Sequence, residues 1–136
     1  MSRGARVSLP PAARRAIAAH ARDAYPAECC GFLVGRRGRI AFAVRMRNVA
    51  PRARRYRIDD RVHIELRRVL RAFEPPLEIV GVYHSHPDGT AAPSDTDCAE
   101  AHYPRWVHVI VAFDGRRTRF GAFRIGSGRS HRLVLG

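Results

Sequence analysis

The sequence contains no lysine, so all 25 of its basic residues are arginine, and they outnumber the 12 acidic residues to give a formal net charge of +13. A field of that sign attracts nucleic acid, anionic membranes and acidic proteins. The arginines, however, are spread along the whole chain and form no single basic tract. A composition bias of the source explains the pattern at least as well as a dedicated nucleic-acid site, and the charge alone identifies no partner.

Cysteine and long apolar segments are also scarce. The three cysteines, Cys29, Cys30 and Cys98, form no CxxC pair and no even disulfide framework, which favours reduced thiols. No apolar run approaches the ~20 residues that a membrane-spanning helix needs. The basic N-terminal segment is broken by a double proline and a double arginine and is a poor signal peptide. We therefore expect a cytoplasmic protein without a membrane partner.

The hydrophobic pattern predicts one α/β domain over residues 1–136, long enough to bury a core without disulfides or metal. Helical spacing predicts three helices, over 9–24, from a cap at Asp59 or Asp60 to Pro75, and from Ser94 to about His102. The middle helix carries an apolar stripe made of Val62, Leu66, Val69, Leu70 and Phe73. Strands are expected over 27–35, 40–49, 56–58, 78–84, 106–113, 120–125 and 133–135. This alternation is typical of a β-sheet flanked by helices.

The segment 78–97 carries the strongest chemical signal. An apolar strand ends in the sequence HSHP, and because side chains alternate along a strand, His84 and His86 project from the same face. Asp97 follows where the next helix begins. Two imidazoles and a carboxylate suit zinc, and a zinc ion with three protein ligands keeps a fourth position for water, as catalytic sites do. The pattern predicts a hydrolytic metal site.

The spacing leaves two further roles open. Ser94 and Asp97 match a capping box, in which the serine caps the helix and the acidic residue reaches back. A hydrolase also needs a general base beside its activated water. Five carboxylates are candidates for that base, namely Glu28, Glu65, Glu74, Glu78 and Glu100. Glu28 is unusual as a charge at the mouth of a buried strand, but spacing does not decide between Glu28 and Glu100.

The motif pieces together resemble a known family. Glu28-Cys29-Cys30-Gly31, followed by His84-Ser85-His86-Pro87, Ser94 and Asp97, is similar to the JAMM motif of the MPN-plus (JAB/MPN) zinc metalloproteases of the short prokaryotic type. The resemblance implies the MPN architecture, a mixed β-sheet flanked by helices and related to cytidine deaminases. It also implies zinc bound by His84, His86 and Asp97, Glu28 as general base, and Ser94 as hydrogen-bond donor to the tetrahedral intermediate.

The resemblance further implies a substrate class. The family hydrolyses the bond after the C-terminal glycine of ubiquitin-like or sulfur-carrier proteins. The loop 88–93 is too short for the insertions that hold ubiquitin chains in eukaryotic members, so we expect a compact enzyme acting on a flexible diglycine tail. The sequence does not distinguish lysine-isopeptide cleavage from processing of a linear C-terminus or release of cysteine. It leaves the oligomeric state open, a homodimer included.

Two alternative functions compete with this one. Some MPN domains lack the metal ligands and serve as protein-binding scaffolds, whereas all the ligands are present here. A DNA-associated protein like RadC shares a similar metal motif. RadC-like chains usually carry asparagine between the histidines and an N-terminal helical domain; here that residue is Ser85, and we expect no such domain. Nucleic acid is therefore not the expected partner.

Overall fold

The computed structural model describes residues 4–50 and 55–136, which form a seven-stranded sheet and three helices. The strands are β1 (Arg6–Val7), β2 (Cys30–Arg36), β3 (Arg39–Met46), β4 (Glu78–His86), β5 (Val107–Phe113), β6 (Thr118–Gly126) and β7 (Arg129–Leu135). The helices are α1 (Pro11–Ala24), α2 (Asp60–Arg71) and α3 (Asp95–Ala99). No helix in these described ranges is long and apolar enough to cross a membrane.

The sheet is mixed, as predicted. Its order is β1-β7-β6-β5-β4-β2-β3, with parallel pairing of β4 with β5 and of β1 with β7 and antiparallel pairing elsewhere. All seven residues of β5 are buried, which fits the continuous apolar run of a strand covered on both faces. The strand that carries the histidines, β4, lies between β5 and β2 and is therefore near the middle of the sheet.

Helix α1 covers one face of the sheet. Its first residue is Pro11, which suits a helix start because the N–H that proline lacks would have no partner there. The buried side chains on its inner face are Ala13, Ile17 and Ala21. They pack in one cluster with Leu33 of β2 and with Val109 and Val111 of β5. This half of the core agrees with the predicted helical spacing.

Helix α2 covers the opposite face, in an orientation that differs from the prediction. Within the predicted stripe, Leu70 is buried and Leu66 partly so, whereas Val62, Val69 and Phe73 are 47%, 49% and 49% exposed. His63 and Arg67 share the inner face with Leu66 and Leu70. The His63 ring lies 4.7 Å from that of Phe32 and 5.8 Å from that of Trp106, and the Arg67 guanidinium lies over Trp106. Aromatic contacts with the sheet thus rotate the helix away from its apolar stripe.

Other elements also differ from the prediction. Helix α3 ends at Ala99 and does not reach His102. The two residues of β1 are too few for alternation to predict a strand. Tyr56 and its neighbours form no strand; the Arg57 N–H is bonded to the Asn48 side chain at 3.0 Å, not to a neighbouring strand. Residues 51–54 of the predicted loop lie outside the described residues.

Candidate metal centre

The three predicted metal ligands meet at the end of β4. The Nε2 atoms of His84 and His86 are 3.0 Å apart, and Asp97 Oδ2 lies 3.2 Å from the first and 3.1 Å from the second. Ligand atoms placed tetrahedrally around zinc at about 2.0–2.1 Å are about 3.3–3.4 Å from one another. The triangle is only slightly tighter than that, so it fits three corners of a zinc site. Within residues 4–50 and 55–136, no other group of three such side chains brings its ligand atoms together.

The local sequence explains how the triangle forms. His84 and His86 are paired in parallel register with Ile110 and Ala112 of β5, and strand alternation turns both imidazoles toward the face that carries α3. At the start of α3, Ser94 Oγ accepts the Asp97 N–H at 3.0 Å, and Asp97 Oδ2 accepts the Ser94 N–H at 2.9 Å. The predicted capping box is therefore present, and it holds the Asp97 carboxylate toward β4.

Capping does not use up the hydrogen-bonding capacity of Ser94. Its oxygen is the acceptor in the cap, and the hydroxyl hydrogen remains able to donate. The side chain is exposed and lines the cleft in front of the metal ligands. Ser94 can therefore cap α3 and donate to a bound substrate at the same time.

The surroundings of His84 and Asp97 favour the protonation states that bind a metal ion. Complete burial lowers the pKa of His84 and keeps the imidazole neutral. Burial opposes ionisation of Asp97, but hydrogen bonds from His84 and His86 outweigh it and hold the pKa of that carboxyl far below its usual range. Burial also opposes protonation of His86, yet its bonds to Asp97 and to the Thr90 carbonyl raise the pKa of His86. Neutral histidine and ionised carboxylate are the forms that bind a metal ion.

The two histidines differ in the contacts that their Nδ1 atoms make. His86 Nδ1 donates to the Thr90 carbonyl oxygen at 2.7 Å, which directs Nε2 toward His84 and Asp97, as second contacts of metal-binding histidines usually do. For His84, no hydrogen-bond partner of Nδ1 exists among the described residues, and the same holds for Nε2 of the neighbouring His108 on β5. Instead, the Tyr56 ring stacks on His84 with centroids 4.4 Å apart and planes inclined by 21°.

Glu28 is brought to the site by strand pairing. Cys30 of β2 is paired with His84, and the ladder continues through Ser85, whose N–H donates to the Cys29 carbonyl at 3.0 Å and whose Oγ accepts the Cys29 N–H at 2.8 Å. In an antiparallel register this places Glu28 opposite His86. Glu28 is 9% exposed and lines the same cleft, of about 880 Å³, as His86 and Asp97.

The environment of Glu28 shifts its pKa toward neutrality. Burial raises the pKa to about 7; His86 opposes the shift, while the negative charges of Asp97 and Asp88 add to it. A carboxyl group with a pKa near the working pH can both accept and return a proton. Glu28 therefore has the placement and the acidity of a general base.

The other candidate carboxylates are less suitably placed. Glu100 also lines the cleft, but its side chain is 55% exposed and lies 3.6 Å from the Arg55 guanidinium. Glu65 is exposed on α2 and pairs with Arg68 at 2.9 Å. Glu78 begins β4, at the end opposite the histidines, and Glu74 is exposed beyond α2. Burial thus distinguishes Glu28 from Glu100, which spacing did not.

Sequence reasoning missed two residues that contact the site. Tyr56 was assigned to a strand and given no role. Asn48 was placed at the end of a strand, yet its side chain makes four hydrogen bonds, and its amide donates to the Glu28 carbonyl oxygen at 3.1 Å. No local sequence pattern around either residue indicates these contacts. The contacts join segments that are distant in sequence and meet only in the folded chain.

Comparison with known proteins identifies related sequences. The family described as prokaryotic homologs of the JAB domain matches residues 10–125. A Haloferax volcanii protein named desampylase is 38% identical over 121 residues, covering 83% of this chain and 85% of that one. A Mycobacterium tuberculosis protein named CysO-cysteine peptidase is 37% identical over 117 residues, covering 83% and 78%.

Solved structures show the same fold. A Desulfitobacterium hafniense protein superposes with a TM-score of 0.83 at 24% identity, covering 96% of this chain and 91% of that one. A JAB1/MPN domain protein from Archaeoglobus fulgidus superposes with a TM-score of 0.60 at 16% identity, covering 99% and 100%. The predicted architecture, a mixed sheet flanked by helices, is confirmed by these neighbours.

Proposed function

The chain belongs to the prokaryotic homologs of the JAB domain and is a peptidase of the JAMM type, and from this premise we propose that it hydrolyses the bond after the C-terminal glycine of a ubiquitin-like or sulfur-carrier protein. The observation that carries the proposal is the triangle of His84, His86 and Asp97, with Glu28 opposite it in one cleft. The names of the relatives, a desampylase and a CysO-cysteine peptidase, support the substrate class.

His84, His86 and Asp97 are the residues that would hold zinc. Zinc in this position would supply a Lewis acid for the scissile carbonyl and would lower the pKa of water toward neutrality. The donor set of two imidazoles and one carboxylate, with ligand atoms 3.0–3.2 Å apart, fits that ion. A site with three protein ligands that faces an open cleft leaves room for water and substrate.

Glu28 moves the proton. Its carboxylate accepts a proton from the attacking water and returns it to the leaving amine, so that the amine departs in neutral form. Burial, which raises its pKa to about 7, makes this group basic enough for the first step and acidic enough for the second. Asn48, which binds the Glu28 carbonyl, fixes the backbone from which this side chain projects.

Ser94 stabilises the oxygen that gains negative charge. Its hydroxyl lies at the start of α3, where the hydrogen bond from Asp97 N–H orients the oxygen and leaves the O–H free. A positioned donor of this kind stabilises the tetrahedral intermediate more than the ground-state carbonyl. The adjoining cleft of about 880 Å³ accommodates an extended peptide tail, as a diglycine C-terminus requires.

We also propose the domain extent, the compartment and the kind of partner of the enzyme. We assign residues 1–136 to a single metallopeptidase domain that acts in the cytoplasm. Its three cysteines are unpaired in the structure, which suits a reducing compartment. The net charge of +13 favours an acidic carrier protein as partner.

The decisive experiment uses diglycine-ended ubiquitin-like proteins from the same organism in three forms, namely a lysine-isopeptide conjugate, a linear C-terminal extension and a C-terminal cysteine adduct. Mass spectrometry should show cleavage directly after the glycine in at least one form. A chelator should abolish that cleavage and added zinc should restore it. Glu28→Gln is the matched control, expected to bind one zinc per chain and to cleave nothing.

Other results would reject the proposal in distinguishable ways. A purified protein that binds no stoichiometric zinc would be a scaffold. A protein that loads zinc and cleaves none of the three forms, but binds DNA in a salt-sensitive manner, would support the RadC-like alternative. Full activity in the Glu28→Gln variant would remove Glu28 as the base while leaving the reaction itself in place.

A further inference from the structure

Unequal support of the two histidines raises the question of what orients His84. An imidazole turns about χ2 over a broad range, because this sp³–sp² torsion has no sharp staggered wells. The His86 ring is restrained by its bond to the Thr90 carbonyl. The His84 ring has no such bond from the described part of the chain, although it is completely buried. Its Nε2 atom faces Asp97 at 3.2 Å, so the contact that supports the rest of the ring lies elsewhere.

The contact that the structure provides is the ring of Tyr56. The two rings lie nearly parallel, inclined by 21°, with centroids 4.4 Å apart. Turning the imidazole out of this plane would drive its edge into the tyrosine face. Tyr56 itself packs against a buried apolar cluster on the α2 side of the sheet. The stack is therefore a fixed surface and not a mobile side chain resting on the site.

Tyr56 lies in a segment without strand pairing, and Asn48 holds that segment in place. The Asn48 amide group donates to the carbonyl oxygens of Arg55 at 2.9 Å and of Glu28 at 3.1 Å. Its carbonyl oxygen accepts the N–H groups of Ala50 at 2.9 Å and of Arg57 at 3.0 Å. The bonds to Arg55 and Arg57 bracket Tyr56 on both sides. One side chain thus fixes the backbone of Tyr56 and the backbone of Glu28 together.

We propose that Tyr56 is a positioning residue of the metal centre, which orients the His84 imidazole by stacking in place of a second hydrogen bond and is itself fixed by Asn48. The inference rests on the proposed function, because it takes His84 as a zinc ligand. Outer contacts of metal-binding histidines typically contribute about 10–100-fold to metal affinity. Loss of the Tyr56 ring should therefore weaken zinc binding by a factor in this range.

The test compares Tyr56→Leu with Tyr56→Phe, which keeps the ring and removes only the hydroxyl. Zinc affinity is measured by competition with a chromophoric chelator, and ligand geometry by the absorption spectrum of the cobalt-substituted protein at saturating cobalt. Tyr103→Leu is the matched control, since Tyr103 stacks on Trp106 at 3.9 Å and is not among the contacts of the metal ligands. Thermal melting of each metal-free variant shows whether it is folded.

The expected pattern is specific to the ring. Tyr56→Leu should bind zinc about 10–100-fold more weakly and give an altered cobalt spectrum, while Tyr56→Phe and Tyr103→Leu should match the wild type. Wild-type zinc affinity and an unchanged cobalt spectrum in Tyr56→Leu would overturn this inference and leave the proposed function intact. A wild-type protein that binds no zinc would overturn both.

Substitution of Asn48 provides a second, independent test of the proposal. If Asn48 acts through Tyr56, then Asn48→Ala should weaken zinc binding, and the double variant with Tyr56→Leu should bind no more weakly than Tyr56→Leu alone. Strictly additive losses in the double variant would contradict the link between the two residues. The comparison remains informative if Asn48→Ala also lowers turnover through Glu28, because zinc affinity is read separately from hydrolysis.

Discussion

At the residue scale, the site depends on a single oxygen atom. Asp97 Oδ2 accepts the Ser94 N–H and at the same time faces Nε2 of both histidines. The bond to Ser94 directs a lone pair of that carboxylate and stabilises its charged form. One local structure therefore caps the helix and also presents an oxygen atom suited to binding a metal ion.

Ser94 can be tested for a role beyond capping. Ser94→Ala removes both the cap and the hydroxyl and should cost about 0.5–2 kcal/mol of stability, whereas glycine at a cap costs only a few tenths. Ser94→Gly should therefore keep the melting temperature near that of wild type. If the hydroxyl donates to the intermediate, both variants should lower kcat by about 10²–10³-fold. A normal kcat in Ser94→Gly would mean that Ser94 only caps α3.

The raised pKa of Glu28 makes the stability of the metal-free protein depend on pH. Because burial raises that pKa from 4.5 to about 7, the folded state binds the proton more tightly than the unfolded state does. Ionised Glu28 therefore destabilises the fold progressively as the pH rises from about 4.5 to above 7. Below that window the carboxyl is neutral in both states and the effect is absent.

Glu28→Gln removes this ionisation and so gives a direct test. In the presence of a chelator, the variant should melt at a higher temperature than wild type at pH 8, and the two should melt alike at pH 4. At pH 8 the free energies of unfolding of the two proteins should differ by at most a few kcal/mol, since a shift of one pKa unit corresponds to about 1.4 kcal/mol. Equal melting temperatures at both pH values would show that Glu28 is solvated and not buried.

At the scale of elements, the pairing of β2 with β4 brings Glu28 to the candidate metal site. Glu28 and His86 meet only because Cys30 is in register with His84. Gly31, beside Cys30, allows this close approach: a Cβ atom at that position would lie 2.2 Å from Tyr83 Cε2 and 2.4 Å from the Val44 carbonyl oxygen. The glycine of the motif therefore has a packing role, three residues after Glu28.

Gly31→Ala should consequently destabilise the sheet. Since one of the clashing atoms is backbone, β2 or β3 must shift, and overpacking of this kind typically costs about 1–3 kcal/mol. Urea unfolding should show the lower midpoint, and hydrolysis should fall because Glu28 moves relative to His86. Gly126→Ala is the matched control, as its Cβ would meet only Pro104 at 3.5 Å. An equal response of the two variants would contradict the packing role.

At the scale of the whole molecule, the dominant property is the positive charge. Long-range attraction accelerates association with an acidic partner and is screened by salt, with a Debye length of about 10 Å at 0.1 M. The formal charge of +13 predicts such an effect for an intact acidic carrier protein. A short neutral peptide with the same C-terminus should be bound through the cleft alone.

Added salt should therefore lower kcat/KM for the acidic carrier protein much more than kcat/KM for the neutral peptide. Between about 50 and 500 mM NaCl, kcat/KM for the acidic carrier should fall about 10-fold or more, while kcat/KM for the neutral peptide changes little. Steady-state kinetics with both substrates measures the difference. A parallel response would show that the arginines have no part in recognising the partner and reflect composition only.

The sequence by itself determined the fold class and predicted the three side chains that meet as candidate metal ligands. Strand alternation places His84 and His86 on one face, and the capping box puts Asp97 at a helix start. Each of these two placements depends only on residues a few positions apart in the sequence. The motif that begins at Glu28 was sufficient to identify the family. The roles of zinc, Glu28 and Ser94 stay predictions with the experiments given above.

Only the tertiary structure decided the contacts that join distant segments. It separated Glu28 from Glu100 by burial, placed Tyr56 on His84, and turned the polar residues His63 and Arg67 of α2 inward in place of part of the predicted stripe. Each of these depends on strand register and on side-chain packing between parts of the chain that are far apart in sequence. Local hydrophobic periodicity contains no information about such contacts, because it reports which side of an element is apolar and not what lies against it.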